Sequence, residues 1–146
     1  FTIRLPAGTN DKKLEYQEQE NPKLSVMRVL IVDDHVGAQD VLKKYLEIDK
    51  HQVDVANTGT EALQLLKKFT YDLVITDRAM PDVNGDIVAV ASKSKNPPPQ
   101  VIMLTGFGDI MLEKNEYPPG VDLILPKPVS LKELRFVLTE LFQNQE

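Results

Sequence analysis

Short apolar runs alternate with amphipathic stretches from residue 25 to the end of the chain. Each run has three or four residues and is rich in Leu or β-branched side chains, which is typical of strands buried on both faces of a sheet. The runs are Val29–Val32, Val53–Ala56, Leu73–Thr76, Val101–Leu104 and Leu123–Leu125. Because helical patterns separate them, the sequence predicts an α/β fold with a doubly wound, five-stranded parallel sheet.

The stretches between the runs carry apolar residues at the three- and four-residue spacing of a helix. These positions are Ala38, Val41, Leu42, Tyr45 and Leu46 in the first helix, Ala62, Leu65, Leu66 and Phe69 in the second, and Leu131, Leu134, Val137, Leu138 and Leu141 in the last. We expect each set to face the sheet.

Polar and proline residues predict where the helices begin and end. Thr58 with Glu61, and Ser130 with Glu133, match the capping box that opens a helix. The third helix should begin near Gly85 and end before the three prolines at 97–99, because proline lacks a backbone donor and restricts the preceding residue. A short fourth helix is predicted around residues 109–115.

The composition is that of one globular domain. The 146 residues are 42% hydrophobic and 27% charged, and no apolar run approaches the roughly 18 residues of a membrane span. The absence of cysteine excludes disulfides and thiolate metal sites and agrees with a cytoplasmic location. The net charge of −5 gives no general attraction to nucleic acid or to anionic lipid, so neither nucleic-acid binding nor direct membrane contact is expected.

Polar side chains follow four of the five predicted strands. Asp33 and Asp34 come after the first strand, Asp77 after the third, Thr105 after the fourth and Lys127 after the fifth. Singly, each is an ordinary turn or cap residue. Together they meet at the carboxyl edge of a parallel sheet, where ligands bind in such folds. Clustered carboxylates repel one another unless a cation relieves them, so the set indicates a hard divalent cation such as Mg²⁺.

One of these carboxylates can act as a nucleophile toward phosphorus. The metal and the Lys127 ammonium would then neutralise the phosphoryl oxygens, and the Thr105 hydroxyl would donate to one of them. The sequence therefore indicates phosphoryl-transfer chemistry at the sheet edge.

The same blocks resemble the response-regulator receiver domains typified by the bacterial chemotaxis regulator. The resemblance covers residues 25–146. It rests on Val-Leu-Ile-Val-Asp-Asp at 29–34, Asp77 with Met80-Pro81 and Gly85, Leu-Thr-Gly at 104–106, and Lys127-Pro128. Intervals of 43, 28 and 22 residues separate Asp34, Asp77, Thr105 and Lys127, as in the family. The resemblance implies a flavodoxin-like (βα)5 fold with strand order 2-1-3-4-5.

It also implies a Mg²⁺ site. Asp77 aligns with the phosphoacceptor, and Asp34, Asp77 and the backbone carbonyl of Ala79 align with the direct metal ligands. Asp33 usually acts through water.

The resemblance further implies how the phosphoryl group is sensed. Thr105 and Lys127 align with the pair that contacts it, and the family places a cis peptide bond at the position of Lys127–Pro128. Where the family usually has Tyr or Phe, three residues before the lysine, this chain has Ile124. Nearby rings at Phe107 and Tyr117 are expected to pack or to cover the surface. Because Ile124 offers no ring that can turn inward, switching should rest mainly on Thr105 and Gly106–Gly108, and phosphorylation should chiefly order residues 105–117 and perturb the fifth strand only slightly.

Neither histidine receives a role from the sequence. His35 lies beside the acidic pair, but at a helix entry it is expected to face solvent. His51 has no acidic or histidine cluster in its immediate sequence.

The first 24 residues suggest a preceding domain. Residues 1–6 alternate like a half-buried strand and resemble the last strand of the ATP-binding domain of sensor histidine kinases. Residues 7–24 have the composition of a polar linker to the receiver at 25–146. A hybrid histidine kinase is the implied parent, with an unrelated strand or a disordered tail as the alternative. The partner would be a histidine kinase dimerisation and phosphotransfer domain, in cis or in trans, or a separate histidine phosphotransfer protein.

Three other functions are weighed against this one. A haloacid-dehalogenase-like phosphatase would need Asp-x-Asp-x-Thr after the first strand, and this motif is absent. A flavin-binding electron carrier would need a phosphate loop there, where two aspartates would repel phosphate. A pseudo-receiver without phosphorylation would not need the complete acidic set. Whether the chain counts as an enzyme stays open, because a receiver catalyses its own phosphorylation and dephosphorylation while the parent would be a kinase.

Overall fold

Five parallel strands form the centre of the structure, a computed structural model that describes residues 26–106 and 117–143. The strands are β1 (Arg28–Val32), β2 (Gln52–Ala56), β3 (Leu73–Asp77), β4 (Gln100–Thr105) and β5 (Leu123–Pro126). They are arranged in the order β2-β1-β3-β4-β5, and every neighbouring pair is parallel. The predicted fold class and strand order are confirmed.

The central strands are almost completely buried because other strands border both of their edges and helices cover both faces of the sheet. Every residue of β3 is buried, as are the last four residues of β1. A strand with both faces covered must be apolar at consecutive positions rather than at alternate ones. This explains why the sequence shows continuous runs such as Val29–Val32.

Four helices are described. They are α1 (Val36–Ile48), α2 (Gly59–Lys68), α3 (Gly85–Lys93) and α4 (Leu131–Gln143). Helices α2 and α3 share one core cluster with the sheet, in which Leu66 and Val88 lie beside Leu30 and Met103. Helix α1 lies against β1 and β2 and buries Leu42 and Leu46 outside that cluster. The sheet is therefore covered on both faces, as a doubly wound fold requires.

The predicted caps are present, one of them in a changed form. Ser130 and Glu133 form the full capping box, each side chain accepting from the other residue's backbone N–H. Thr58 caps α2 by accepting from the N–H of Glu61 at 3.0 Å. The Glu61 carboxylate, however, accepts from the N–H of Asn57 rather than from that of Thr58.

Helix α1 differs from the prediction at two positions. Val41, predicted to face the sheet, is 45% exposed, whereas Gln39 is buried. The Gln39 amide donates to the backbone carbonyl of Asp33 and to Asn57 Oδ1. Hydrogen bonds to two loops therefore bury a polar residue at a position that the apolar spacing did not assign to the core.

Phe69 also departs from its predicted place in α2. It follows the helix and is 37% exposed, with the Arg28 guanidinium 4.3 Å from its ring centroid. Arg28 also binds Asp54, which accepts from the Tyr71 hydroxyl at 2.7 Å. These contacts lie at the amino-terminal end of the sheet, opposite the edge that carries the predicted site.

Several predictions lie outside the described residues. These are the strand at 1–6, the linker at 7–24, the helix around 109–115 and the position of Phe107. Among the helices within 26–106 and 117–143, none is both long and apolar enough to span a membrane.

His51 is a buried structural residue. It is 6% exposed, and its Nδ1 accepts from the backbone N–H of Met27 at 3.0 Å. Burial lowers its pKa from the ordinary value of 6.5, and the charges of Asp49 and Asp72 only partly oppose this shift. Because Nδ1 must be unprotonated to accept a hydrogen bond, the neutral ring is the form that joins the start of β1 to the entry of β2.

We expect the free energy of unfolding to depend on pH through His51. The unfolded chain takes up a proton below about pH 6.5, whereas the folded chain does so only at a lower pH. The stabilisation is therefore complete above pH 6.5 and is lost as the pH falls through the folded pKa, at roughly 1.4 kcal/mol per pH unit between the two values. Urea denaturation at about pH 7.5 and about pH 5.5 should show a smaller pH effect in His51→Gln. An equal pH effect in the wild type and in His51→Gln would contradict the prediction.

Candidate metal centre

The register of the sheet brings the predicted side chains to one edge. Strands β1 and β3 are hydrogen-bonded neighbours, so Asp33, directly after β1, lies beside Asp77 at the end of β3. Strand β4 borders β3 on its other side and ends at Thr105. After β5, the backbone N–H of Lys127 donates to the carbonyl of Thr105 at 3.1 Å. Four strand ends thus supply one site.

Asp77 is the most central carboxylate of the site. Its side chain is 5% exposed, and Lys127 Nζ lies 3.2 Å from Asp77 Oδ1. Burial, followed by the negative charge of Asp33, raises the pKa of Asp77, and the bond from Lys127 opposes this rise. A cation close to the carboxylate therefore favours its ionised form.

Asp33 is buried with one oxygen unsatisfied. Its Oδ1 accepts from the backbone N–H of His35 at 2.9 Å. Its Oδ2 has no hydrogen-bond partner within the described part of the chain, and Lys127 Nζ lies 3.7 Å away. A buried carboxylate oxygen without a hydrogen bond costs about 1–3 kcal/mol or more, and the Lys127 ammonium at 3.7 Å offsets only part of this cost.

Asp34 and His35 complete the cluster on its exposed side. His35 Nδ1 lies 3.2 Å from Asp34 Oδ1 and 3.4 Å from Asp33 Oδ1. One ligand atom from each of Asp33, Asp34, His35 and Asp77 lies within 4.8 Å of the others. Three carboxylates at this separation, with a buried oxygen unpaired, fit a divalent cation. The His35 side chain is 71% exposed, as the sequence predicts for a residue at a helix entry.

The loop after Asp77 is held by close backbone packing. The N–H of Gly85 donates to the carbonyl of Arg78 at 2.9 Å. A Cβ at Gly85 would lie 2.3 Å from the carbonyl oxygen of Asp77 and 2.9 Å from the Cα of Arg78. Only glycine allows this approach, which fixes the loop that carries Ala79.

Asp82 ties the same loop to helix α2. Its carboxylate accepts from the N–H groups of Gly59 and Thr60 and from the Thr60 hydroxyl, at 3.2, 3.0 and 2.6 Å. The bonds from Thr60 are the main reason that the pKa of Asp82 lies well below its usual value. Sequence reasoning missed this contact, because an acidic residue in a loop 22 residues away from its partner gives no local signal.

Ile124 occupies the position at which the family resemblance implies an aromatic ring. It is 3% exposed and belongs to the same core cluster as Val101 and Met103 of β4. Tyr117, one of the two nearby rings, is 41% exposed, as expected for a surface residue. The Lys127–Pro128 peptide is cis, as predicted.

The predicted site residues lie at or just after the ends of four strands. Ligand atoms of Asp33, Asp34 and Asp77 lie within 4.8 Å of one another, and Lys127 contacts two of these carboxylates. Thr105 is 7% exposed at the end of β4. Ala79 lies in the exposed part of the loop after β3, and its role as a carbonyl ligand stays a prediction.

Comparison with protein families identifies this arrangement. The model of the response regulator receiver domain matches residues 29–139. The aerobic respiration control sensor protein ArcB of Escherichia coli is 32% identical over 150 residues, covering 100% of this chain and 19% of that protein. The transcriptional regulatory protein CutR of Streptomyces coelicolor is 36% identical over 108 residues, covering 74% of this chain and 50% of that protein. The chain therefore spans half or less of the length of each of these two relatives.

Solved structures agree with the family match. The response regulator TrrA of Thermotoga maritima, determined in complex with Mg²⁺ and beryllofluoride, has a TM-score of 0.68 and 30% identity. The match covers 79% of this chain and 98% of that one. The chemotaxis response regulator CheY4 of Vibrio cholerae, with a TM-score of 0.72 and 24% identity, shares the fold over 81% of this chain and 100% of its own.

Gly85→Ala should weaken both the fold and the site. The added methyl group meets only backbone atoms, so the end of β3 or the start of α3 must move. We expect a loss of about 1–3 kcal/mol in the free energy of unfolding and weaker Mg²⁺ binding, measured by urea denaturation and by calorimetric titration. Gly37→Ala in α1 is the matched control, because a Cβ there meets nothing within 4 Å. Equal stability and equal metal affinity in the two variants would contradict this prediction.

Proposed function

Because the chain belongs to the response regulator receiver family of two-component signalling, we propose that it accepts a phosphoryl group on the carboxylate of Asp77. The observation that carries this proposal is the buried Asp77 carboxylate, which lies 3.2 Å from the ammonium of Lys127 and beside the acidic pair that follows β1. The phosphoryl donor is a phosphohistidine on a partner domain.

The reaction moves one phosphoryl group between two side chains. An oxygen of Asp77 attacks the phosphorus, the bond between phosphorus and the donor's imidazole nitrogen breaks, and an acyl phosphate forms on Asp77. The departing nitrogen takes the electron pair and a proton from solvent. Burial raises the pKa of Asp77, so nearby positive charge keeps the nucleophile ionised.

Mg²⁺ is the divalent cation proposed for this site. Asp34, Asp77 and the backbone carbonyl of Ala79 would hold it directly, and Asp33 would act through water. When bound, Mg²⁺ supplies positive charge to the phosphoryl oxygens. The oxygen-rich donor set and the unpaired Asp33 Oδ2 support this assignment. The Mg²⁺ and beryllofluoride complex of TrrA, at 30% identity, supports it as well.

Lys127 and Thr105 are proposed to hold the phosphoryl group once it is transferred. The Lys127 ammonium lies between the carboxylates of Asp33 and Asp77 and is 28% exposed, so it can turn from a carboxylate to a phosphoryl oxygen. The Thr105 hydroxyl would donate to a second oxygen. Such charge-assisted hydrogen bonds differ between the two phosphorylation states, which is the requirement for switching.

The protein context proposed here is the receiver of a hybrid sensor kinase in the cytoplasm. The match to the ArcB sensor covers the whole chain, including the first 25 residues, whereas the match to the CutR regulator covers 74% of it. The partner would be a histidine kinase dimerisation and phosphotransfer domain or a separate histidine phosphotransfer protein. The net charge of −5 supports partners other than nucleic acid or membrane lipid.

Asp77→Asn should abolish phosphorylation while the fold is retained, because the amide keeps the size of the side chain but is not an anionic nucleophile. The measurement is intact mass after incubation with Mg²⁺ and acetyl phosphate. The wild type should gain one phosphoryl group and should lose this gain when the metal is chelated. The control is Asp40→Asn, which changes the same charge on an exposed residue of α1 and should be labelled normally. Full labelling of Asp77→Asn would refute the proposed acceptor.

Lys127→Ala should separate phosphorylation from its conformational effect. The variant lacks the ammonium that contacts the Asp77 carboxylate, so the phosphoryl group should shift the backbone amide resonances of Thr105 and Gly106 much less than in the wild type. NMR spectra recorded with and without Mg²⁺ and beryllofluoride measure this response. Lys132→Ala, which removes an exposed lysine of α4, should respond fully. A full response in Lys127→Ala would assign the sensing role to another residue.

A further inference from the structure

The loop between β3 and α3, residues 78–84, is held at its base by contacts that do not involve the acidic cluster. The N–H of Gly85 donates to the carbonyl of Arg78 at 2.9 Å, which brings the two ends of the loop together. The guanidinium of Arg78 also pairs with Asp86 in the first turn of α3, with 3.2 Å between Nε and Oδ1. The base of the loop is therefore fixed to the start of α3.

The far part of the loop is fixed to a different helix. Asp82 accepts from the N–H groups of Gly59 and Thr60 and from the Thr60 hydroxyl, at 3.2, 3.0 and 2.6 Å. These bonds are charge-assisted, and the amino-terminal end of a helix favours a negative group. Independently of them, a Cβ at Gly59 would overlap the backbone carbonyl of Val83, so helix α2 and the loop are also in direct backbone contact.

Ala79 lies between these two attachments, whereas Asp77 lies outside them. Asp77 is the last residue of β3 and is paired with Leu104 of β4, so the sheet itself fixes its place. Ala79 is in the loop, and its carbonyl is one of the groups proposed to hold Mg²⁺ directly. The place of that carbonyl thus depends on contacts that the Asp77 carboxylate does not need.

We propose that Asp82 is a positioning residue for phosphoryl transfer to Asp77. Its bonds to the first turn of α2 set the place of the Ala79 carbonyl, and hence the concentration of Mg²⁺ that the reaction needs. The inference rests on the proposed function and adds to it a residue outside the acidic cluster. Because the sheet holds Asp77 in place without Asp82, loss of Asp82 should change the metal dependence of the reaction more than its rate at saturating metal.

Phosphorylation of the full chain by acetyl phosphate, followed by intact mass at a series of Mg²⁺ concentrations, tests the proposal. Asp82→Ala should raise the Mg²⁺ concentration for half-maximal rate by about tenfold, the lower end of the range for residues that orient metal ligands. The rate at saturating Mg²⁺ should stay close to that of the wild type. Asp82→Asn, whose amide oxygen can still accept from Thr60, should give an intermediate Mg²⁺ requirement.

The control for a general loss of stability is Tyr71→Phe. It removes the hydroxyl that donates to Asp54 at 2.7 Å, at the opposite end of the sheet, and should keep the wild-type Mg²⁺ requirement. A rise in Tyr71→Phe as large as that in Asp82→Ala would overturn the inference, because the effect would then follow stability rather than the loop.

A double-mutant cycle isolates the contact itself. Thr60→Val removes only the hydroxyl that donates to Asp82 at 2.6 Å and should raise the Mg²⁺ requirement by a smaller factor. In the Asp82→Ala background the same substitution should have no further effect, because its partner is gone. Equal Mg²⁺ requirements in the wild type, Asp82→Ala and Thr60→Val would overturn the inference, and so would an undiminished effect of Thr60→Val in the absence of Asp82.

Hydrogen exchange of the metal-free protein gives a readout that does not depend on phosphorylation. The amide of Gly85 bonds to Arg78 and not to Asp82, so it reports on the base of the loop. We expect it to exchange faster in Asp82→Ala than in the wild type, and unchanged exchange would contradict the inference. A wild type that gains no phosphoryl group at any Mg²⁺ concentration, with Gly85 responding as expected, would instead refute the proposed acceptor and support the role of Asp82 in holding the loop.

Discussion

The repulsion between two buried carboxylates is the constraint on which the site depends. Asp33 and Asp77 stand at the ends of neighbouring strands, and both side chains are almost inaccessible to water. Burial and the charge of Asp33 raise the pKa of Asp77, while Lys127 contacts both groups and opposes the rise. One ammonium cannot neutralise three acidic side chains, so the sheet edge keeps an excess of negative charge. That excess is what can attract a divalent cation and, with it, a phosphoryl group.

Such a site must be held together against the repulsion between its carboxylates, and polar contacts between loops do this. Gln39 joins the backbone of Asp33 to Asn57, which fixes the exit of β1 relative to that of β2. Asp82 joins the loop after β3 to the first turn of α2. The close packing of Gly85 on the carbonyl of Asp77 completes the set. These residues hold the loops that carry the carboxylates without themselves belonging to the acidic cluster.

The core explains the role of Ile124, which stands in β5 where the family resemblance implies an aromatic residue. Ile124 is packed into the cluster that β4 shares with α2 and α3, so it contributes to the core rather than offering a ring that can turn. In the proposed function, a conformational signal from Thr105 would then pass through other contacts. Lys127 is well placed for this, because its backbone binds Thr105 and its side chain binds Asp77.

The sequence by itself determined the five strands, their parallel arrangement and the edge at which the acidic residues meet. Local patterns carry this information, because buried strands must be apolar and the residue after each strand has a fixed place in a parallel sheet. Only the tertiary structure decided that Gln39 is buried, that Val41 is exposed, that Asp82 binds α2 and that His35 joins the carboxylates. Each of these depends on the distance between side chains of separate elements or on the direction of a side chain at a turn. Neither the spacing of apolar residues nor a short motif encodes such contacts, because their energy comes from partners that meet only after the chain has folded.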